Sequence, residues 1–403
     1  MRKVLVIAVC LTLSGCGASF PKADPNQVMC TATGDVDPRT MKFPTPPDPP
    51  PIYRIAYADD GEFIDRCAVS KLYRDMQAGG DQIVLLYVHG WKHNNDDRDT
   101  DLQKFTNQVR LLRNAETSSA SPRRVLGVYV AWNGARTTWP VAKQFTFWGR
   151  QRAADKVAQS AAVTRLLAAV DSIRRQRESR NRNDLHVYVG HSFGARILYN
   201  AVAQTLIRET ELAHPGEVNK PYRRIKGIGD MVILLNPAFE ASLFSIFHDV
   251  RRSEYIFPPE QPPLLVSISS ETDRATGRAF PLGQALSFER SPKRRITVGN
   301  YKDYWTHRVA RRSTSNENDD CSKQVCMTLI AMDGLKNVPF INARADRAVM
   351  NGHGDIWNEN VQEFITHLIE RRIVADKLNA PQSAIPASPS ASRDSPVTEK
   401  GRD

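Results

Sequence analysis

No Cys-x-x-Cys pair occurs among the six cysteines, and no His-Glu-x-x-His among the nine histidines. A zinc ribbon, a thioredoxin-like redox centre and a zincin helix are therefore not expected, and no metal or organic cofactor is implied. No internal repeat is present, which excludes solenoids and propellers. Long apolar runs are missing too. The run that begins at Val4 ends at Leu13, far short of the ~20 residues that span a bilayer. Acidic residues are under-supplied, with 44 Asp+Glu against 55 Lys+Arg and a net charge of +11. The excess is partly clustered from Arg174-Arg175-Gln176-Arg177 to Arg182. A solvated helix end is the simpler reading of that cluster, and a face for anionic headgroups is the other. What remains is ordinary globular composition, 41% hydrophobic and 25% charged, in a length that fits two domains or one large α/β unit.

The start of the chain is distinctive. Arg2-Lys3, a short apolar run and the small residues before Cys16 make a secretory signal over residues 1–15. Leu13-Ser14-Gly15-Cys16 resembles the bacterial lipobox. That resemblance implies lipidation of Cys16, with Gly17 as in lipoproteins sent to an outer membrane, facing the periplasm. Several acyl chains on one residue hold firmly where one is marginal. Loss of residues 1–15 takes the net charge from +11 to +9 (11 − 2, for Arg2 and Lys3). Outside the cytoplasm nucleic acid is not an expected partner. Cys30, Cys67, Cys321 and Cys326 then remain, an even number in an oxidising compartment, which favours disulfides. Cys321 and Cys326 are near enough in sequence to close a small loop, leaving Cys30 for Cys67.

Residues 16–51 read as a tether ending in the proline run from Pro44 to Pro51, an extended and semi-rigid spacer. Residues 52–375 form the body, and 376–403, rich in Ala, Pro and Ser, a disordered tail. Ile52 to Tyr57 and the residues after Asp59-Asp60-Gly61 read as a hairpin, and Val69 to Met76 as a short helix. Apolar runs at 83–88, 125–132, 185–189, 231–236, 263–269 and 325–331 predict buried strands. Helices are predicted at 101–114, where Leu102, Phe105, Val109 and Leu112 share a stripe, at Trp148 to Arg175, after Gly194, and near Trp357 to Val374. This alternation predicts an α/β fold with a mostly parallel sheet and helices on both faces. Insertions near 239–262 and 276–318 lie where ligand-covering segments of α/β enzymes occur; a lid or plain surface packing both fit.

The chemistry centres on Gly190-His191-Ser192-Phe193-Gly194, which joins the run Leu185 to Val189 to a helical stretch from Ala195. Strand, Gly-x-Ser-x-Gly turn and helix make a nucleophile elbow, whose glycines permit a tight turn and hold Ser192 strained and exposed. A serine hydroxyl needs a base for its proton and donors for the oxyanion. The backbone N–H groups of Phe193 and of Trp91, in the turn His89-Gly90-Trp91, are the candidate donors. His89 itself reads as a residue that shapes the turn, and with His93 it does not make a metal pair.

His-Gly-Trp after a buried strand, the later Gly-His-Ser-Phe-Gly and a histidine near the end resemble the α/β-hydrolase family over most of residues 80–372. Ala131-Trp132-Asn133-Gly134 and Trp148-Gly149-Arg150 to Ala154 are similar to parts of a bacterial α/β-hydrolase group that usually carries Trp-Pro-Ser at the first of these places. The resemblance implies a triad in the order Ser, acid, His. The base is then His353, in Asn351-Gly352-His353-Gly354-Asp355, with His307 as rival. The acid is Asp273, after the strand ending near Ser269, with Glu271 and then Glu240 as alternatives. The expected activity is that of a lipid-anchored serine hydrolase cleaving carboxylic esters through an acyl-enzyme. Acyl transfer or peptide cleavage would use the same triad, and a non-catalytic binding protein on this fold is the reading from another class.

Overall fold

The computed structural model describes residues 49–58, 61–91, 93–119, 121–132, 147–180, 182–217, 220–250, 256–281, 291–311, 327–332, 338–366 and 368–369. The expected signal, Cys16, the tail and the tether up to residue 48 lie outside them; residues 49–51 are described, and the Pro51 carbonyl accepts the Gly127 N–H at 3.0 Å. Cys67 is disulfide-bonded, and every other cysteine falls outside the described residues, as does the expected pairing.

The body is built on nine strands: β1 (Ile52–Tyr57), β2 (Gln82–Val88), β3 (Arg124–Trp132), β4 (Leu185–His191), β5 (Met231–Leu235), β6 (Leu265–Ser270), β7 (His307–Arg311), β8 (Met327–Ala331) and β9 (Phe340–Ala345). They form one sheet in the order β1-β3-β2-β4-β5-β6-β9-β7-β8, parallel throughout except where β8 runs antiparallel to β7. The helices include α1 (Arg66–Gln77), α2 (Thr100–Thr117), α3 (Phe147–Gln159), α4 (Ala162–Glu178) and α5 (Phe193–Ala213). The fold is α/β, with helices covering both faces. The continuous apolar runs follow from that cover, because side chains of both parities are buried. On β2, Val84, Leu86 and Val88 join a core layer containing Leu72 of α1, Leu166 of α4 and Leu198 of α5. Ile83, Leu85 and Tyr87 point the other way, into a layer with Phe105 and Val109 of α2 and Phe364 of the C-terminal helical residues 359–366. Asp99 caps α2 by accepting the Asp101 N–H.

Several elements differ from expectation. The first run is chiefly an edge strand, β1 pairing in parallel with β3, and the expected hairpin is short: an antiparallel bridge joins Tyr57 to Phe63, and the Ile64 N–H donates to Ala56 O at 2.9 Å. Tyr53, Ile55 and Tyr57 are buried in the same core layer as α1, which fixes β1 on the sheet. The expected helix from Trp148 to Arg175 is two helices, broken at Ala161, whose φ is 57°. There the Ser160 hydroxyl donates to the Val157 carbonyl at 2.8 Å and accepts the Ala162 N–H, competing with the helical ladder. The expected run at 325–331 supplies only the outermost strand β8, with Ile330 exposed. The inner strands there are β9, beside β6, and β7, from within the 276–318 stretch. Asn342 and Arg344 interrupt the apolar pattern of β9. Asn342 is nevertheless fully buried, its amide donating to the carbonyls of Val298 and Tyr304.

Candidate active site

All strands from β1 to β6 point their carboxyl ends the same way, and the candidate residues collect there. β4 ends at His191, and α5 starts at Phe193, so Ser192 is the single residue between strand and helix. Its φ of 56° and ψ of −120° fall where a side chain is strained. Three contacts enforce this conformation. The Ser192 N–H donates to Leu235 O at 3.0 Å, while its own carbonyl accepts from Ala238 and Arg196. A β-carbon on Gly194 would stand 2.2 Å from the Val88 carbonyl oxygen and 2.3 Å from that of His89. One on Gly190 would meet the Ala195 α-carbon at 2.8 Å. The elbow glycines are therefore set by close approach of backbone to backbone. Contrary to expectation, Ser192 is not exposed but only 3% accessible, because the turn after β2 and the loop carrying His353 close over it.

That turn lies directly against the serine: a β-carbon on Gly90 would stand 3.1 Å from the Ser192 Cβ. Trp91 follows that turn, and Phe193 follows Ser192 directly and opens α5. His89 is buried, stacked between Tyr129 and Trp132. Its Nδ1–H donates to the Gly90 carbonyl at 2.8 Å, and its Nε2 accepts the Trp132 N–H at 3.1 Å. Burial first, then the proximity of His93, holds His89 down at about 4, as suits a neutral ring that shapes the turn. His93 pairs with Asp99 instead.

His353 Nε2 lies 2.8 Å from Ser192 Oγ, and its Nδ1 lies 2.8 Å from Asp273 Oδ2. The Asp273 side chain is fully enclosed. Burial by itself would raise its carboxyl, but hydrogen bonds from His353 and Thr276 outweigh that and hold it below the usual range. Thr276 donates its hydroxyl to Oδ2 at 2.6 Å, and the N–H groups of Ala275 and Thr276 donate to Oδ1. A π-helical turn, Ala275–Ala279, starts there, so the carboxylate also caps a helix end. The rivals are engaged elsewhere. Glu271 accepts the Arg347 N–H at 2.8 Å, Glu240 pairs with Arg196, and His307 lies on β7 next to the Thr306 hydroxyl, its ring kept near 4 by burial.

Sequence reasoning missed the residues that hold the His353 loop. Asn236, fully buried with a φ of 45°, donates Nδ2 to the carbonyls of Gly352 at 3.1 Å and His353 at 2.9 Å. Its Oδ1 accepts the Ser270 N–H at 2.8 Å. The Ser270 hydroxyl donates to Met350 O at 2.7 Å and accepts the Gly352 N–H. His191 Nε2 lies 2.9 Å from the same His353 carbonyl. A polar residue ending an otherwise apolar strand just before Pro237 was the available signal for Asn236. Of the first expected insertion, Phe244 and Phe247 are buried, Phe247 against Phe340 with ring centroids 4.5 Å apart. That part packs as body.

A mostly parallel nine-strand sheet covered by helices on both faces, with a strained serine between strand and helix, places the chain in the α/β class. No protein-family model matches the chain, nor does any curated protein sequence. Among solved structures, phospholipase PlaB from Legionella pneumophila in complex with thio-NAD is similar at a TM-score of 0.30 and 10% identity, over 73% of this chain and 61% of that one. The same phospholipase alone gives 0.24 and 11%, over 64% and 51%. An uncharacterized protein from Pseudomonas aeruginosa gives 0.23 and 11%, over 76% and 48%. The chain thus spans less than two thirds of the length of each. Likenesses this weak are no guide to activity or substrate.

Proposed function

We propose that the protein is a serine hydrolase that cleaves carboxylic esters through an acyl-enzyme. The reading rests on one observation, the hydrogen-bonded line from Ser192 Oγ through His353 to Asp273. His353 Nε2 takes the hydroxyl proton as Oγ attacks the ester carbonyl, and Asp273 keeps the other ring nitrogen protonated and steadies the imidazolium. The N–H groups of Phe193 and Trp91 receive the oxyanion. His353 returns the proton to the leaving alcohol, then activates the water that releases the acid.

The lipobox at Leu13 to Cys16 supports a cell-envelope enzyme held by lipid on Cys16, in an outer membrane and facing the periplasm. Incorporation of labelled palmitate into the wild type but not into Cys16→Ser tests the anchor. The catalytic reading is tested with a fluorophosphonate probe and a panel of p-nitrophenyl esters of graded acyl length. Wild type should be labelled and turn over esters, and Ser192→Ala should do neither. Equal hydrolysis by Ser192→Ala would overturn the reading.

A further inference from the structure

We infer that Asn236 is a positioning residue of the active site, setting the place of His353 through the histidine's own backbone. The inference rests on the hydrolase reading above. His353 sits in a surface loop, Asn351 to Asp355, whose two glycines leave its backbone little conformational preference of its own. Such a loop must be fixed by something more rigid if Nε2 is to stay 2.8 Å from Ser192 Oγ. Asn236 supplies that fixture. It is the residue immediately after β5, and its backbone N–H donates to Ile268 O at 2.8 Å, continuing the β5–β6 pairing by one step. Its side chain then joins three places. Nδ2 holds the carbonyls of Gly352 and His353, and Oδ1 holds the Ser270 N–H at the end of β6. One amide thereby ties the histidine loop to β5, the neighbour of β4, and to β6 beyond it.

The backbone conformation is part of the fixture. Asn236 has a φ of 45°, and among the described non-glycine residues only Ala161 and Ser192 share a positive φ. Asparagine tolerates that region better than most side chains. The strained serine and the strained asparagine are also linked, since Ser192 N–H donates to Leu235 O, the residue just before Asn236. His191 contributes a second donor to the same His353 carbonyl, from β4. The histidine is thus gripped at its carbonyl by side chains from two adjacent strands, and at its ring by Ser192 and Asp273.

Two variants separate donor from bulk. Asn236→Asp keeps the size, the tolerance of positive φ and an acceptor for Ser270, but turns an oxygen toward two carbonyl oxygens. Asn236→Gly removes the side chain while adopting the backbone freely, so it remains informative if the aspartate variant does not fold. Each is measured for kcat and KM on a short p-nitrophenyl ester, per folded molecule by circular dichroism, and for the rate of fluorophosphonate labelling. Both should lose about ten- to hundredfold in kcat and in labelling rate, with KM within about threefold of wild type. If either folded variant keeps wild-type kcat and labelling rate, the inference is overturned. A wild type that neither reacts with the probe nor turns over ester would instead overturn the hydrolase reading, so the two failures are distinguishable.

Discussion

The Thr276 hydroxyl donates to Oδ2 of Asp273 at 2.6 Å, the same oxygen that faces Nδ1 of His353. One carboxylate oxygen is thus shared between a fixed hydroxyl and the imidazole, while the other is held by two backbone N–H groups. A carboxylate with every lone-pair direction taken has one orientation, and it passes that orientation to the histidine.

Thr276→Val keeps shape and loses the donor. Hydrogen bonds to charged groups are worth roughly 1.5–3 kcal/mol, so kcat should fall about tenfold or more while the protein stays folded. Kinetics on a soluble ester check this, and an unchanged kcat would count against the shared-oxygen arrangement.

Asp273→Asn and Glu271→Gln form a matched pair two residues apart. The first should lower kcat by roughly 10³–10⁴-fold, because the amide no longer fixes the productive tautomer. The second should leave kcat within about twofold, since the exposed Glu271 side chain accepts the Arg347 N–H and surface substitutions of that kind are mild. The reverse ranking would make Glu271 the acid.

Glycines beside the site should differ sharply under replacement by alanine. Gly194→Ala drives a methyl into the backbone carbonyls of Val88 and His89, so a loss of more than about 3 kcal/mol and insoluble protein are expected. Gly352→Ala, at a φ of 99°, should cost roughly 1–3 kcal/mol and disturb the loop. At Gly354 there is open space and an ordinary φ of −94°, so Gly354→Ala should be within about 0.5 kcal/mol and fully active. Thermal melts and ester turnover on the three variants check the order.

Stability should decline in mild acid. Burial first holds His191 at about 3, His89 at about 4 and His307 at about 4, each below the ordinary histidine value. Their stabilising effect is complete above the unfolded value of about 6.5. As pH falls through the window down to the folded values, the unfolded chain binds protons that the native protein refuses, so stability drops. The slope approaches roughly 1.4 kcal/mol per pH unit for each such histidine. Urea midpoints that coincide at about pH 7 and about pH 4.5 would contradict neutral, buried rings.

How far the sequence carried depends on what kind of signal each residue leaves. The strands β2 to β6 were legible because burial on both faces writes a continuous apolar run, and the elbow was legible because close backbone contact demands glycine at Gly190 and Gly194. Ser192, His353 and Asp273, which the sequence offers as a nucleophile, base and acid, are hydrogen-bonded in that order. β9 was missed because Asn342 and Arg344 find buried or half-buried partners that no local pattern announces. The same holds for Asn236 and Ser270, whose partners in the His353 loop lie 80 or more positions away. The break at Ala161 escaped because a serine hydroxyl, not a glycine or proline, ends the helix.

The close fit of Gly194 against the carbonyls of Val88 and His89 bears on the order of assembly. Those partners lie about a hundred positions apart in the chain, so the elbow acquires its shape only when β2 and β4 lie side by side. Contacts of such sequence separation form late and slowly, after loop closure has been overcome. Reactivity toward the probe should therefore return in step with completion of the sheet during refolding, and no partly folded species should carry it.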